Sequence, residues 1–116
     1  MPILSYAQAQ QTIPTLKNSV GVSGCFDILH IGHLHFLKEA RTYGDQLVVL
    51  LEGDEFITKA KNRSSFHTQM ERAEILTALR CVDYVVLLPY LPEESDYLTM
   101  HIKIALQNLV VSSHDP

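Results

Sequence analysis

Two histidines three positions apart, His30 and His33, are the residues in this chain whose type and spacing best suit chemistry. They follow a short valine-containing run at 19–23 and precede an apolar pattern with helical spacing at 34–43. They therefore lie where a strand gives way to a helix N-terminus, whose N–H groups and dipole favour bound anions. If the helix begins near Ile31, both rings face one point. The pattern predicts a site that binds a nucleoside triphosphate and stabilises charge developing at its α-phosphorus.

The residues around these histidines are expected to line the same nucleotide site. Gly24 and Gly32 allow the backbone to turn or to come close to a ligand. Cys25 and Phe26 lie between Gly24 and His30. The Phe26 ring is expected to pack in the core while its amide faces a phosphate.

The segment Gly24-Cys-Phe-Asp-Ile-Leu-His-Ile-Gly-His33 resembles the signature of the HxGH nucleotidyltransferase superfamily, in particular its cytidylyltransferase-like branch. Glycerol-3-phosphate cytidylyltransferase, heptose-phosphate adenylyltransferase and archaeal-type FAD synthetase carry G-[CT]-F-D-x-x-H-x-G-H after their first strand. The resemblance implies transfer of a nucleoside monophosphate from CTP or ATP to a sugar, polyol or flavin phosphate, with release of pyrophosphate. It covers residues 20–88 and fades beyond them. A nucleotide-binding module or degenerate homologue without turnover is the alternative; a fragment of a tRNA-charging enzyme fits so short and acidic a chain less well.

Basic residues are concentrated in one stretch of an acidic protein. Four of the nine lysines and arginines lie within 59–72, although the formal net charge is −4. Lys59-x-Lys61 and Glu71-Arg72 are similar to the lysine-bearing loop and the E-R helix start of these cytidylyltransferases. The resemblance implies that Lys59 or Lys61 contacts a substrate phosphate, with Lys61 the better catalytic candidate, and that Arg72 supports the acceptor side. A solvated loop and helix face is the alternative.

Two aspartates lie near the predicted phosphate site. Asp27 could hold the Mg²⁺ ion that accompanies a nucleoside triphosphate, or it could accept backbone N–H groups and shape the turn. Asp54 could contact an acceptor hydroxyl or cap the next helix. We expect both aspartates on the acceptor side and Mg²⁺ arriving with the nucleotide, without direct protein ligands unless Asp27 is one.

His35 suggests a rival interpretation, a zinc site with His30 and His33. On a helix, however, His33 and His35 point roughly 200° apart, and no cysteine pair completes a tetrahedral set. His35 is therefore predicted to be a surface residue.

The remaining pattern alternates strands and helices. Short apolar runs predict strands at 19–23, 46–51, 83–88 and 108–112. Helical patterns are expected at 5–11, 31–43 with Gly44 as C-terminal cap, 54–60, 68–80 and, after an N-cap at Ser95, 96–106. Thr68 and Glu71 form a capping-box signature. The residues predicted to lie on or near the buried side of that helix are Met70, Ala73, Ile75, Leu76 and Leu79. The rhythm predicts one α/β domain over 1–116, with a doubly wound parallel sheet and a Rossmann-like HxGH nucleotidyltransferase fold.

Composition and charge narrow the possible partners. The negative net charge argues against a surface that coats nucleic acid. No apolar run is long enough to span a bilayer, and the N-terminus shows no leader pattern. The two cysteines form no C-x-x-C pair and fit a reducing compartment. We expect a cytoplasmic domain with small-molecule partners, which forms a homodimer as many relatives do.

The sequence stops at Pro116, before a segment that closes the site in relatives. That segment, R-x-x-G-[IV]-S-[ST]-[ST], supplies an arginine and hydroxyls to the triphosphate, and here no arginine follows Arg80. We therefore expect the closing segment to be absent from this sequence, and a triphosphate to bind more weakly than to a longer version.

Overall fold

The computed structural model describes residues 2–90 and 108–109. In chain order its elements are β1 (Ile3–Ser5), α1 (Tyr6–Thr12), a 3-10 turn (Ile13–Thr15), β2 (Ser19–Gly24), α2 (Ile31–Arg41), β3 (Gln46–Leu51), α3 (Asp54–Lys61), α4 (Gln69–Thr77), β4 (Tyr84–Leu87) and β5 (Asn108–Leu109). The strand predicted at 46–51 and the start of α2 at Ile31 are confirmed.

The strands form one parallel sheet in the order β1-β4-β3-β2-β5. From β2 the chain proceeds through β3 and β4 on one side, and β5 pairs with β2 on the other side. The strand order therefore reverses at β2. Ligands of open α/β sheets bind outside the carboxyl ends of the strands at such a switch point. The HxGH segment follows β2 directly, so the fold brings it to this position.

Helices cover both faces of the sheet, which confirms the doubly wound class. Along β3, Leu47, Val49 and Leu51 belong to the cluster beneath α2 and α4. Val48 and Leu50 pack on the opposite face with Ala9 of α1 and with Ile13. Because β3 is buried on both faces, its sequence is apolar at nearly every position.

The end of α2 differs from the prediction. The helix ends at Arg41 with Thr42 as its C-cap. The predicted glycine cap requires a positive φ, which Gly44 does not have. Gly44 instead lies against the backbone that leads into β2, where an added Cβ would be 2.6 Å from the Asn18 carbonyl oxygen. A glycine is needed here for a close approach between chain segments.

Helix α4 begins as predicted but turns a different face to the sheet. The capping box is present, with Thr68 as the N-cap and Glu71 reaching back to its N–H. The buried face carries Arg72 together with Ala73 and Leu76. Met70 and Ile75 were expected on or near the buried side, but they are exposed because they fall outside that face.

Some predicted elements differ in extent or lie outside the described residues. Helix α4 ends at Thr77 rather than Arg80, β4 covers 84–87, and the edge strand β1 was missed because its apolar stretch is very short. The helix predicted at 96–106 with its cap at Ser95, and residues 110–112 of the last strand, fall outside the described part. Within residues 2–90 and 108–109, no helix has the length and apolar character needed to cross a membrane.

Candidate nucleotide site

The N-terminus of α2 is capped by the two histidines themselves. His30 is the N-cap residue, and its Nδ1 accepts a hydrogen bond from the Gly32 N–H at 3.0 Å. His33 reaches back, and its Nδ1 accepts from the His30 N–H at 3.2 Å. This is the reciprocal arrangement of a capping box, with imidazoles in place of the usual hydroxyl and carboxylate. The rings stack with centroids 3.9 Å apart, so the prediction that they share one location is confirmed.

These hydrogen bonds also indicate the tautomer of each ring in its neutral form. A neutral imidazole accepts at one nitrogen and donates at the other. Since each Nδ1 accepts, each proton is on Nε2. His33 is only 7% exposed, and its Nε2 is buried without a hydrogen-bond partner among the described residues. A buried donor left unpaired costs about 1–3 kcal/mol, which a ligand oxygen would recover.

The surroundings of His33 keep its ring neutral. Burial lowers the pKa of His33, and electrostatic interactions with His30 and Lys61 lower it further. The edge of the Phe26 ring contacts His33 with centroids 5.4 Å apart. Near neutral pH, His33 is therefore a hydrogen-bond donor held in place by packing, and not a cation.

The glycines of the motif serve close packing and not the turn itself. All five glycines of the chain lie among the described residues, and none has a positive φ. The left-handed residue of the turn is Phe26, with φ of 46°, a conformation that costs a non-glycine residue roughly 1–2 kcal/mol. Its buried ring, which confirms the predicted core position, offsets this strain. An added Cβ would lie 2.9 Å from the Phe26 ring at Gly24 and 2.8 Å from the His30 ring at Gly32.

Asp27 is engaged by protein donors. Its buried carboxylate accepts from Arg63 Nη1 at 2.8 Å, from the Phe66 N–H at 2.8 Å and from the His67 N–H at 3.0 Å. Burial alone would raise the pKa of Asp27, but these hydrogen bonds and the charge of Arg63 outweigh it, so the pKa is lowered. Of the two sequence interpretations, the acceptance of backbone N–H groups is the one observed. The donors come from the loop at 62–67 and not from the turn, so Asp27 ties that loop to the HxGH segment. Its contact with an acceptor stays a prediction.

Arg72 lies in the protein interior and not at the acceptor side. Its side chain is 0% exposed. Nε donates to the His67 carbonyl, Nη1 to the carbonyls of Cys25 and Glu52, and Nη2 to Asp54 Oδ1, at distances of 2.6–3.1 Å. The guanidinium therefore joins the ends of β2 and β3, the 62–67 loop and the start of α3. Because the Arg72 side chain is not exposed, it cannot make the expected contact with an acceptor in this arrangement.

A second side chain of α4 ties the same edge of the sheet. Gln69 Nε2 donates to the carbonyl oxygens of Leu51 and Leu88, at the ends of β3 and β4. Sequence reasoning missed this residue, because a glutamine in the first turn of a helix is ordinarily solvated.

Asp54 and the two lysines occupy distinct positions. Gly53 is the N-cap of α3, so the alternative in which Asp54 caps this helix is wrong. The Asp54 side chain is 46% exposed beside Arg72, and its contact with an acceptor stays a prediction. Lys59 is exposed, whereas Lys61 is half-buried and close enough to His33 to lower its pKa. Lys61 is thus the lysine on the histidine side.

A cleft of about 180 Å³ opens at this edge of the sheet. It is lined by Cys25, Phe26, Asp27, Ile28, His30, His33 and Arg63. Gly24 and Gly32 shape its walls from behind, while Lys59, Lys61, Asp54 and Arg72 do not line it. Arg63 and Ile28 were not singled out from the sequence. The basic stretch at 59–72 contained the signal for Arg63, but its spacing did not show which cation faces the histidines. His35 is exposed on α2, as predicted.

Comparison with known proteins identifies the family. The family model described as cytidylyltransferase-like matches residues 22–110, and the chain belongs to this family, as the HxGH segment predicted. A protein named FAD synthase from Thermococcus sibiricus is 48% identical over 71 residues, covering 61% of this chain and 48% of that protein. FAD synthase from Pyrococcus abyssi is 50% identical over 68 residues, covering 59% and 46%. The bifunctional protein HldE of Aliarcobacter butzleri is 42% identical over 100 residues, covering 85% of this chain and 20% of HldE.

These curated relatives are longer than the present sequence. The chain spans about half the length of the FAD synthases that it matches. Among solved structures, the lipopolysaccharide core biosynthesis protein from Thermoplasma volcanium GSS1 matches with a TM-score of 0.61 and 24% identity, covering 84% of this chain and 98% of that one. This likeness shows a shared fold.

Proposed function

We propose that this protein is a nucleotidyltransferase, which transfers a nucleoside monophosphate from ATP or CTP to a small phosphorylated acceptor and releases pyrophosphate. The observation that carries the proposal is the buried Nε2–H of His33. It has no partner among the described residues, although it lines a cleft at a helix N-terminus and at the switch point of the sheet. A phosphate oxygen is the kind of group that this donor and this position favour.

In the proposed reaction, an oxygen of the acceptor phosphate attacks the α-phosphorus. A new P–O bond forms, the bond to the bridging oxygen breaks, and pyrophosphate leaves with that electron pair. The attacking phosphate is already an anion, so no strong base is needed. Catalysis is mainly positioning and electrostatic stabilisation. His30 and His33 donate from Nε2 to the non-bridging oxygens as their charge grows, and one such donor contributes on the order of 10²–10³ in rate. Lys61 adds positive charge on the same side.

The described residues do not form a metal site of their own. Among the described residues, no group of three histidines, cysteines or carboxylates could hold a metal ion. Asp27, the carboxylate of the cleft, is already hydrogen-bonded to Arg63 and to two backbone N–H groups. Mg²⁺ is commonly bound by substrate phosphates together with water. We therefore assign Mg²⁺ to the triphosphate, as part of the donor substrate.

The names of the relatives suggest the first substrates to test. Forming FAD joins an adenylate to a flavin phosphate, so ATP with flavin mononucleotide is the first pair. CTP, and sugar or polyol phosphates, complete the panel. A homodimer in the cytoplasm, without nucleic acid or membrane partners, remains our expectation for the assembly and its location.

Pyrophosphate release is the decisive measurement. The chain is incubated with Mg²⁺, ATP or CTP, and each acceptor, and compared with His33→Ala and His35→Ala. His35 is the matched control because it is an exposed histidine of the same helix. Release that depends on His33 but not on His35 is expected. Nucleotide binding without release from any pair would instead identify a non-catalytic nucleotide-binding module.

A further inference from the structure

The cleft contains an arginine whose hydrogen-bonding capacity is only partly used. Arg63 lines the cleft with His30 and His33, and its side chain is 45% exposed. A guanidinium has five N–H donors in a fixed planar fork. Of these, only the Nη1 group is engaged among the described residues, by Asp27 Oδ2 at 2.8 Å and by the Ser64 carbonyl at 3.2 Å. Nε and Nη2 remain to donate to a ligand.

Arg63 and Arg72 have different roles, one open to a ligand and one fully engaged by the protein, which a basic sequence pattern cannot distinguish. All three nitrogens of Arg72 donate to protein oxygens, and none is exposed. Arg63 has the opposite character, with one nitrogen held and two directed to no protein group in the described part of the chain. An incoming anion can reach only the second of these arginines.

The Asp27 carboxylate makes Arg63 a prepared donor and not a mobile surface charge. Asp27 is itself fixed by the Phe66 and His67 N–H groups, so it holds Nη1 at a defined place on the cleft wall. A side chain restrained before binding loses less conformational freedom when a ligand arrives. The ion pair also offsets the negative charge that an unpaired Asp27 would present to a phosphate.

We propose that Arg63 binds phosphate oxygens in this cleft through Nε and Nη2, beside the unpartnered Nε2–H of His33. The ligand chemistry is a phosphate group, which belongs either to the donor triphosphate or to the phosphorylated acceptor. The inference rests on the proposed function for the source of that phosphate, but the anion site itself can be tested without turnover.

The first test measures binding of inorganic phosphate and of pyrophosphate by calorimetric titration. Arg63→Gln should weaken at least one of them tenfold or more, because a charge-assisted contact is lost. Arg80→Gln is the matched control. Arg80 is exposed and lies between α4 and β4, at the amino-terminal edge of the sheet and away from the cleft. It should change the dissociation constants less than twofold. Equal binding by Arg63→Gln and wild type, or no binding by wild type, overturns the proposal.

Two further measurements keep the test decisive. If Arg63→Gln is unfolded by circular dichroism, Arg63→Lys replaces it; this variant keeps the charge but loses the fork, and should still weaken binding several-fold. With an active substrate pair, a raised KM for the nucleotide identifies the donor phosphate, and a raised KM for the acceptor identifies the acceptor phosphate. Phosphate binding that depends on Arg63, without pyrophosphate release, would contradict the proposed function but not the role of Arg63. Turnover with both KM values unchanged in the Arg63 variants would contradict the role of Arg63 but not the proposed function.

Discussion

Replacing Arg72 with methionine should lower the stability of the whole fold and should not selectively weaken the binding of one substrate. Methionine keeps much of the apolar stem but removes every hydrogen bond of the guanidinium. Three carbonyl oxygens, of Cys25, Glu52 and His67, then lose a donor at the point where two strands and a loop meet. The fourth partner, Asp54, is half exposed and can be hydrated instead.

The expected loss follows from those contacts. Each buried acceptor left without its donor costs about 1–3 kcal/mol, while the exposed ion pair to Asp54 contributes about 1 kcal/mol or less. Taking the lower part of that range for each of the three carbonyls, we expect a loss of about 3–5 kcal/mol from a total of about 5–15 kcal/mol. For a chain of 116 residues, about 4 °C per kcal/mol gives a fall in Tm of roughly 12–20 °C.

Thermal unfolding by circular dichroism tests this expectation, with Arg80→Met as the matched exposed control. The control should unfold within about 2 °C of wild type, since surface substitutions usually change stability by about 0.5 kcal/mol or less. If Arg72→Met also unfolds within a few degrees of wild type but raises the KM for the acceptor tenfold, the buried clamp is refuted. The acceptor contact implied by the family resemblance would then be the correct role of Arg72.

Four further outcomes are expected. His33→Ala removes the contact with the His30 N–H and should cost about 1–2 kcal/mol of stability, while turnover should fall about 10²-fold or more relative to His35→Ala; normal turnover would exclude the proposed donor. Because burial lowers the pKa of His33 from 6.5 and the neutral ring is the working form, activity should be level above that pH. At lower pH the activity should fall as His33 Nδ1 takes a proton. An activity that rises toward acid pH would contradict this. Asp27 has a lowered pKa, so its stabilisation is present above pH 3.8 and is lost as the pH falls through the lowered pKa; the stability gap between wild type and Asp27→Asn, from urea unfolding, should therefore close in that range. Lys61→Met should raise one KM about tenfold, whereas Lys59→Met should leave both unchanged; identical effects would show that the lysines act only through bulk charge.

The elements that the sequence predicted well are those whose signal is local. The apolar run of β3 and the capping box of α4 each lie within six residues, and their backbone follows from burial on two faces or from a side chain that reaches its own helix turn. The edge strand β1 has three residues and takes its register from β4, about 80 positions away in the chain. A pattern so short carries little information about a partner so distant.

The site divides in the same way. The pairing of His30 and His33 follows from their spacing at a helix start, and it was predicted. The roles of Arg63 and Arg72 depend on which carbonyl and carboxylate groups the fold brings to them. The two residues lie only nine positions apart in one basic stretch, so the sequence does not distinguish them. The family resemblance placed Arg72 on the acceptor side, whereas the structure buries its guanidinium and leaves Arg63 at the cleft. The same holds for Asp27, whose donors lie on a loop that reaches it only in the folded chain.

An acidic protein can still present a cleft suited to phosphate, and the contacts around HxGH explain how. The carboxylate that lines the cleft, Asp27, is compensated by the Arg63 guanidinium and by two backbone N–H groups. The histidines contribute Nε2–H donors, while their Nδ1 nitrogens are occupied in capping the helix. The groups directed to a ligand are therefore donors, while the acceptors of the same residues are turned toward the protein. Since these contacts form without substrate, the donors need little rearrangement when charge develops, which is the condition under which electrostatic stabilisation of a transition state is largest.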